Sequence, residues 1–453
     1  MSNPHEDPAR ERLLDASLSE VFGRRESSQD SVDAVAAAPM PWNRLLVAAV
    51  LVLGAAVVVG SLIWSQPAND RAFAGKRQSI EELVPQGPGL PRTTCRTIEE
   101  LEAAPADIVN LMVHLPAAND LQRLQRFTQL RELHLLGDGP GTFWTMVSGD
   151  SDVLNPLVKL QRLEKLTLPP NFALVPAHVQ ALAAIGTLRT FAIAGAHPLT
   201  DDLAKAIAAM PSLRELELHL TVVPASFLEH LVAAQLTSLR IEACGSLGAA
   251  EFHAISKMRS LQFVGILFAG MGSLSMGGQR YEVHELGQTA FDALNKLPNL
   301  IALDLDESKF HDKFMAGLPK QLKYLRLGDH VMTPLTIAAL QRLENLEELR
   351  FNHATKHEDA IELLHKLRLK RLWLRGWLDR EIVKVLSEHL TLEHATLRLH
   401  GQAPVDLSAL ANAPKLRKLT LRYDDRLDGP ALPTAEVRKA LADGGVTVVE
   451  TMF

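Results

Sequence analysis

Cysteine and aromatic residues are scarce in this chain. Of its 453 residues, only two are cysteine and 5% are aromatic. Two cysteines cannot form the disulfide framework on which small secreted domains depend. Several copies of the repeat described below separate Cys95 from Cys244. Strands stacked about 4.8 Å apart would hold them beyond the roughly 7 Å that a disulfide allows, so we expect no bond between them.

The chain also lacks a strong charge excess and the sequence signatures of catalysis. Its formal net charge is −6, which gives no global reason to expect nucleic acid as a partner. No HExxH, GxSxG, P-loop or GxGxxG motif occurs. His353 and His357 are four residues apart, but they fit a solvated loop better than a metal site. We therefore expect a protein that is not an enzyme and has no catalytic, cofactor or metal site.

A regular apolar spacing fills the chain from about residue 127 onwards. The segment LRELHL at 130–135 is the first clear copy of the pattern LxxLxL, in which x is any residue. The middle apolar residue of each copy falls at 133, 166, 191, 216, 239, 264, 303, 325, 349, 372, 397 and 419. Nine of the eleven steps are 22 to 25 residues, and the other two are 33 and 39. This period predicts a solenoid in which each unit contacts its neighbours.

The pattern and its period resemble the leucine-rich repeat family. The LxL part predicts a short strand with inward-facing leucines. Helical patterns lie between the strands, such as LAKAIAAM after Thr200 and LTIAALQRL after Thr333 and Pro334. The resemblance implies an α/β solenoid of about 12–13 repeats over 94–453, a horseshoe similar to the ribonuclease-inhibitor class. Helices would line its convex side and parallel strands its concave side. The family's turn-forming Asn or Cys is matched at Asn171 and Cys244 only.

Two insertions and two caps are predicted around this repeat. The insertions Gly137–Pro156 and Ala269–Gly287 both begin after a strand, so both should protrude at the same rim. Insertions at one edge are typical of a binding side, but tolerated loop variation is an equal alternative. Thr97–Glu102 should begin one cap, and 437–449 should form a last helix and strand at the other end.

One segment near the N-terminus has the length and composition of a membrane span. The twenty residues Leu45–Trp64 carry no charge, and at 1.5 Å per residue they extend about 30 Å, the thickness of a bilayer core. A cleaved signal peptide is the alternative, because Ala74 and Gly75 resemble a cleavage site. We favour an uncleaved anchor followed by a flexible, Pro- and Gly-rich stalk at 65–93.

The segment 1–44 before the span contains a candidate amphipathic helix. Its LLDAxLxEVFG stretch at 13–23 resembles the cytoplasmic segment of some bacterial anti-sigma-like membrane proteins. Positive charges flank the span on both sides, so they do not decide its orientation. The resemblance places 1–44 in the cytoplasm and the repeats outside it.

The concave face is read from the residues beside the inward leucines. Acidic residues are more numerous than basic ones over 187–317, at 14 against 10, whereas basic residues lead over 318–422, at 18 against 12. Trp and Arg are enriched among residues that dominate binding energy. The candidate partner-binding residues are Tyr324, Arg326, Arg350, Arg371, Trp373, Arg375, Arg398, His400 and Arg422. The alternative is that these charges only keep the surface soluble.

These observations favour a single-pass membrane protein of bacterial type with an extracytoplasmic repeat domain. It would bind a protein or another macromolecule, with an acidic partner favoured and no nucleic acid expected. A second hypothesis is a transmembrane signalling regulator whose N-terminal segment binds a cytoplasmic partner. A third is a structural component of the cell envelope.

Overall fold

Parallel strands from successive repeats form one long sheet. The computed structural model describes residues 92–114, 118–136, 152–169, 172–195, 199–244, 247–268, 272–276, 279–283, 285–328, 330, 333–353, 357–376, 378–399, 406–423 and 433–452, all within the compact unit Gly54–Phe453. Fifteen of the strands among them join side by side in chain order. They are β1 Thr93–Cys95, β2 Asn110–His114, β3 Glu132–Leu136, β4 Lys165–Thr167, β5 Thr190–Ala194, β6 Glu215–His219, β7 Ser238–Glu242, β8 Phe263–Leu267, β11 Ala302–Asp304, β12 Tyr324–Gly328, β13 Glu348–His353, β14 Arg371–Gly376, β15 His394–Leu399, β16 Lys418–Tyr423 and β17 Thr447–Met452.

Helices connect these strands, as the polar and apolar spacing between them predicts. The α-helices are α1 Ile98–Ala103, α2 Pro176–Leu182, α3 Asp201–Ala208, α4 Ala225–Leu231, α5 Ala249–Lys257, α6 Gln288–Asn295, α7 Pro334–Gln341, α8 His357–Lys366, α9 Arg380–Glu388 and α10 Ala435–Asp443. Short 3₁₀ helices at Ala118–Arg126, Asn155–Lys159, Asp312–Gly317 and Ser408–Asn412 replace them in four connections. The predicted caps are present: Thr200 accepts a hydrogen bond from the Leu203 backbone N–H at 3.3 Å, and Thr333 caps α7 ahead of Pro334.

The inward leucines stack in the predicted register and form the core. Leu216, Leu303 and Leu349, which the repeat pattern places inside, are all 0% exposed. The strand pairs match Leu303 with Leu325 and Leu349 with Leu372, so each middle leucine contacts its counterpart in the next repeat. The fold is therefore a parallel-stranded α/β solenoid of leucine-rich repeat type.

The register corrects the predicted frame in one repeat. On β15 the residue paired with Leu372 is Ala395, and Leu397 pairs with Leu374. The middle position is therefore 395 and not 397. The prediction failed because an alanine occupies the place where the other repeats carry a larger apolar residue. Every outward residue on β15 is reassigned as a result.

The repeats begin earlier than the sequence pattern indicated. Strand β2 places Leu111 opposite Leu133 and Val113 opposite Leu135, one full repeat before the first clear copy. At the other end, the predicted last helix and strand are α10 and β17. There Glu450 stands in register with the inward Leu421, and Arg438 Nε lies 3.0 Å from Glu450 Oε1. A charged pair closes this end of the core, as polar outer faces do in capping repeats.

A turn of repeated geometry follows the central strands. The residue after β6, β7 and β8 has a left-handed backbone, with φ of 51° at Leu220, 49° at Ala243 and 60° at Phe268. Such a conformation costs about 1–2 kcal/mol outside glycine. Side chains at the family's turn position stabilise it: Cys244 Sγ donates to the Leu218 carbonyl at 3.5 Å, and Ser308 Oγ donates to the Ile266 carbonyl at 2.8 Å.

The second insertion contains structure of its own. An antiparallel pair, β9 Gly272–Met276 and β10 Gln279–Val283, lies between β8 and α6 where a loop was predicted. Most of the first insertion, the segment 1–44, the span Leu45–Trp64 and the stalk up to residue 91 lie outside the described residues. Within the ranges that are described, no helix has the length and apolar character needed to cross a bilayer.

Candidate functional site

Alternate side chains of each strand point away from the core and form a surface that we call the open face. On β6, Leu216 and Leu218 point inward and are 0% exposed, whereas Glu215, Glu217 and His219 point outward. Successive strands align these outward positions in three rows across the sheet. Each repeat has two inward residues, such as Leu216 and Leu218 on β6. Row 1 is the position before the first of them, row 2 is the position between them, and row 3 is the position after the second. The open face corresponds to the surface that the sequence analysis assigned to binding.

Opposite charges alternate across the first half of the open face. We call this network the charge chain; it comprises Lys165, Glu217, His219, Glu242, Arg240 and Asp304. Lys165 Nζ lies 2.9 Å from Glu217 Oε1, and Glu217 Oε2 lies 3.5 Å from His219 Nε2. His219 Nδ1 is 3.3 Å from Glu242 Oε2, which also accepts a hydrogen bond from Arg240 Nη2 at 2.9 Å. A positive group therefore stands beside Glu217 and beside Glu242.

Burial makes these contacts stronger than ordinary surface ion pairs. The side chains of Lys165 and Glu217 are only 8% and 14% exposed, and Asp304 is fully buried, 3.9 Å from Arg240. Burial raises the pKa of the Glu217 carboxyl, but Lys165 and His219 outweigh it and hold that pKa well below its ordinary value. Burial lowers the pKa of His219, yet its bonds to the two glutamates prevail and raise it.

The charge chain is compensated internally. With His219 protonated, it contains three positive and three negative groups. In the described part of the chain, no group of three or more His, Cys, Asp and Glu side chains is arranged to hold a metal ion.

The centre of the open face is apolar. Phe263, Ala302 and Tyr324 are consecutive in row 1 and form a small cluster of their own, separate from the main core. Tyr324 is 0% exposed and its hydroxyl has no hydrogen-bond partner. Burial raises the pKa of Tyr324 to about 12. Tyr324 was a candidate partner-binding residue, but its ring is buried and not accessible to a partner.

Carboxylates compensate three of the predicted arginines. Arg326 pairs with Asp306, two residues after the end of β11. Glu348 bridges two others, with Oε1 2.7 Å from Arg350 Nη2 and Oε2 2.7 Å from Arg371 Nε. The side chains of these three arginines are only 15%, 12% and 20% exposed. Neighbouring carboxylates therefore offset the positive charge of these arginines.

The last third of the open face has a different charge. Strands β14, β15 and β16 present nine outward positions, all partly buried. Row 2 holds Trp373, Thr396 and Thr420, which are uncharged. The two outer rows carry six basic side chains and no carboxylate: Arg371, His394 and Lys418 in row 1, and Arg375, Arg398 and Arg422 in row 3. We call these nine positions the cationic patch.

The structure divides the predicted site residues between these regions. Trp373, Arg371, Arg375, Arg398 and Arg422 lie together in the cationic patch, while Arg326 and Arg350 lie in the compensated part and His400 lies outside the described residues. The candidate residues predicted from the sequence did not include His394 and Lys418. His394 was missed because the frame on β15 was displaced by two residues. The even steps from Leu372 to Ala395 to Leu419, of 23 and 24 residues, were the signal for the right frame.

Comparisons with known proteins find no match among families or curated proteins and only distant likenesses among solved structures. No family model and no curated protein matches the chain. Among solved structures, an internalin (inlF) from Listeria monocytogenes is 16% identical with a TM-score of 0.38, over 78% of this chain and 88% of that one. The leucine-rich repeat-containing protein LegL7 from Legionella pneumophila is 13% identical with a TM-score of 0.39, over 63% and 91%. TLR13, solved in complex with ssRNA13, is 14% identical with a TM-score of 0.36, over 80% of this chain and 58% of that one.

These likenesses do not bear on function, because all three TM-scores are low. The assignment to the leucine-rich repeat fold rests instead on the repeat period and on the parallel register of the strands. What the chain binds must be argued from its own surface.

Proposed function

We propose that this protein is a membrane-anchored binding scaffold that recognises another protein through the β14–β16 end of its open face and catalyses no reaction itself. The observation that carries the proposal is the composition of the cationic patch, where Trp373 lies partly exposed among six basic side chains. Trp and Arg are the residue types that most often dominate the energy of protein interfaces. An acidic partner would complement the patch, and its association would slow as salt screens the charges.

The location of the protein belongs to the same proposal. The charge-free segment Leu45–Trp64 supports a single-pass anchor, and the N-terminal LLDAxLxEVFG stretch supports a cytoplasmic N-terminus with the repeats outside the cytoplasm. Protease treatment of intact cells tests this orientation. Digestion of the repeats by external protease is expected, and protection of the repeats until the cells are lysed would reverse the assignment.

Site-specific photocrosslinking tests the binding face. A photoreactive amino acid at Thr396, in the middle of the patch, should capture a discrete partner in cells. The same group at Lys384, whose side chain is 73% exposed on helix α9 of the neighbouring connection, is the matched control and should not. Trp373→Ala should abolish capture at 396. Equal capture at both positions, or capture only at 384, would show that this part of the open face is not the binding surface.

A further inference from the structure

The last strand of the sheet has an unpaired edge. Strand β17 pairs with β16 on one side, and in the described part of the chain no strand pairs with its other side. The Thr447 backbone N–H donates to the Arg417 carbonyl at 2.8 Å, so the alternate residues Val448 and Glu450 direct their backbone groups to the open side. Such a row of unpaired N–H and C=O groups is a template for another strand.

The two ends of the sheet differ in the protection of their edges. Natural sheets protect an edge with a very short strand, lysine, proline, a bulge or an inward-pointing charge. The first strand, β1, is only three residues long. The last strand, β17, is six residues long, contains no lysine or proline, and pairs with β16 without a shift in register. Its inward-pointing charge, Glu450, is neutralised by Arg438, whose Nη2 lies 3.2 Å from Glu450 Oε2. The edge of β17 is therefore the less protected of the two.

The core beside this edge is incompletely covered. Helix α10 buries Leu441 alone, whereas α9 buries four of its residues. Val448 stands in register with the fully buried Leu419, yet it remains partly exposed. A cleft of about 710 Å³ lies between α10 and β17, and Ala442 and Val446 contribute apolar groups to its wall. Edge and cleft both belong to the end at which a further repeat of a solenoid would stack.

We propose that a second copy of this chain occupies this end, with the two β17 strands paired antiparallel about a two-fold axis at Val449. Two-fold symmetry is the commonest in homo-oligomers, and it brings the same patch of both copies together. The two cores stay on the same side of the joined sheet only if inward residues pair with inward residues. That condition requires the axis to pass through a residue and not between two residues.

The position of the axis follows from strand length and charge. An axis at Val449 pairs the five residues 447–451 and sets Val448 opposite Glu450 of the second copy. Their backbone groups face the open side, so these two residues join by main-chain hydrogen bonds. An axis one residue earlier would pair only 447–449 of the strand. An axis at Glu450 would set two glutamates directly opposite each other, which is destabilising.

The interface is balanced in charge and doubles the open face. Each copy contributes one Arg438–Glu450 pair, with Nε 3.0 Å from Oε1, so neither copy brings an unmatched charge to the contact from these two residues. The second copy covers Val448 and closes the cleft. Both open faces then lie on the same side of one continuous sheet. A dimer would therefore present two binding faces to a common partner, which raises avidity without any new contact.

Disulfide trapping tests the position of the axis. Val449→Cys is introduced into the full-length chain, which is oxidised mildly in non-ionic detergent and analysed on a non-reducing gel. Two cysteines at the axis would have Cα atoms about 4.5 Å apart, which a disulfide allows. Thr447→Cys is the matched control, because it lies on the same strand and face but about 13 Å along the strand from its counterpart. The wild-type chain, whose Cys95 and Cys244 are buried, is the blank. We expect a covalent dimer for Val449→Cys alone.

Sedimentation equilibrium in density-matched detergent tests reversible association. Val449→Lys sets two like charges opposite each other at the axis and should weaken dimerisation by about 10-fold or more. Val448→Pro removes a backbone N–H from the open edge of each copy, leaves the bonds to β16 in place, and should weaken dimerisation by about the same factor. The control Ser238→Lys adds the same charge at an outward, partly buried position of β7 and should have no effect. Circular dichroism checks that each variant is folded.

Four outcomes would overturn the inference. A monomer at every concentration would reject the second copy. A dimer unchanged by Val449→Lys would place the contact elsewhere in the chain, for instance in the segment 45–64. Stronger trapping by Thr447→Cys than by Val449→Cys would reject the register. A photoreactive amino acid at position 449 that captures a different polypeptide would assign the edge to a strand of another protein.

Discussion

The charge chain predicts that two lysine–carboxylate pairs of equal length differ sharply in their effect on stability. Lys165 Nζ lies 2.9 Å from Glu217, and Lys205 Nζ lies 2.9 Å from Asp202. The first pair is 8% and 14% exposed on the open face, whereas the second is 56% and 77% exposed on helix α3. Because the distance is the same, any difference between the two pairs reports their environment.

Lys165→Met should cost about 2–3 kcal/mol. Removing one partner of a buried pair leaves an uncompensated charge and typically costs about 3–5 kcal/mol. The value here is reduced because Glu217 keeps His219 at 3.5 Å and retains some contact with water. Lys205→Met removes a solvated pair of the kind that often contributes nothing, and we expect no measurable change. Urea denaturation of the full-length protein, followed by circular dichroism, measures both variants.

The penalty should depend on pH in a defined direction. The pKa of Glu217 in the folded protein is well below its ordinary value of 4.5, so its stabilising contribution is present above that value and is lost as pH falls through the folded pKa. Without Lys165 the folded pKa of Glu217 rises. The gap in stability between the wild-type protein and Lys165→Met should therefore be full at pH 7 and narrow below about pH 4.5. The double variant Lys165→Met/Glu217→Gln should recover part of the loss at pH 7.

The reasoning would be refuted if the Lys165 and Lys205 variants lost stability equally, or if the Lys165 penalty were the same at pH 7 and pH 4. Either result would mean that water screens the open face around β4–β6 as fully as it screens a helix surface. Water would then be expected to screen the charges of the half-buried patch on β14–β16 as well, and strong electrostatic recognition there would not be expected.

Three further predictions test the core, a turn and the membrane segment. Leu349→Ala, at a position that is 0% exposed, should cost about 2–5 kcal/mol in urea denaturation, whereas Leu335→Ala, at 62% exposure, should be nearly neutral; equal values would contradict the register. Gly328 has φ of +56°, and a Cβ there would lie 2.5 Å from a backbone nitrogen of the neighbouring repeat. Gly328→Ala should therefore cost about 2 kcal/mol or more. Gly186→Ala is the control, because a Cβ at Gly186 would have no atom within 4 Å. A chain beginning near residue 90 should remain soluble without detergent while the full-length protein partitions with membranes; if the full-length protein is soluble, N-terminal sequencing distinguishes cleavage from a wrong assignment of 45–64.

The sequence predicted the register well because burial leaves little choice at inward positions. Eleven of the twelve predicted middle residues are paired as expected, since a one-residue slip would turn every leucine to the solvent side. The failure at Ala395 has the same cause. Alanine is compatible with either face of the sheet, so the pattern was aligned on Leu397 and the middle position was assigned two residues too late. Strand β2 was missed because its copy of the pattern begins with Ile108 in place of a leucine.

Side-chain pairing was beyond the sequence argument. The pattern put Arg350 and Arg371 on the outward side, and both lie there. It did not reveal that Glu348 bridges them, because that contact depends on side-chain conformation and on the distance between adjacent strands. Charge counts over long regions also hid the difference between the two ends of the open face. Those counts include residues of loops and helices, which do not lie on the open face.

That division supports separate roles for the two ends of the open face. Ionic groups that are buried and matched one to one, as in Lys165–Glu217, have already exchanged water for protein partners and gain little from a third molecule. The nine outward positions of β14–β16 instead place six basic side chains around Trp373, which is the composition on which the proposed binding face rests. The same physical reasoning therefore predicts opposite responses to substitution: Lys165→Met should lower stability and leave binding at the patch unchanged, whereas Lys418→Gln should weaken binding and leave stability nearly unchanged. A variant series in which stability and binding fell together at both positions would show that the open face acts as one unit.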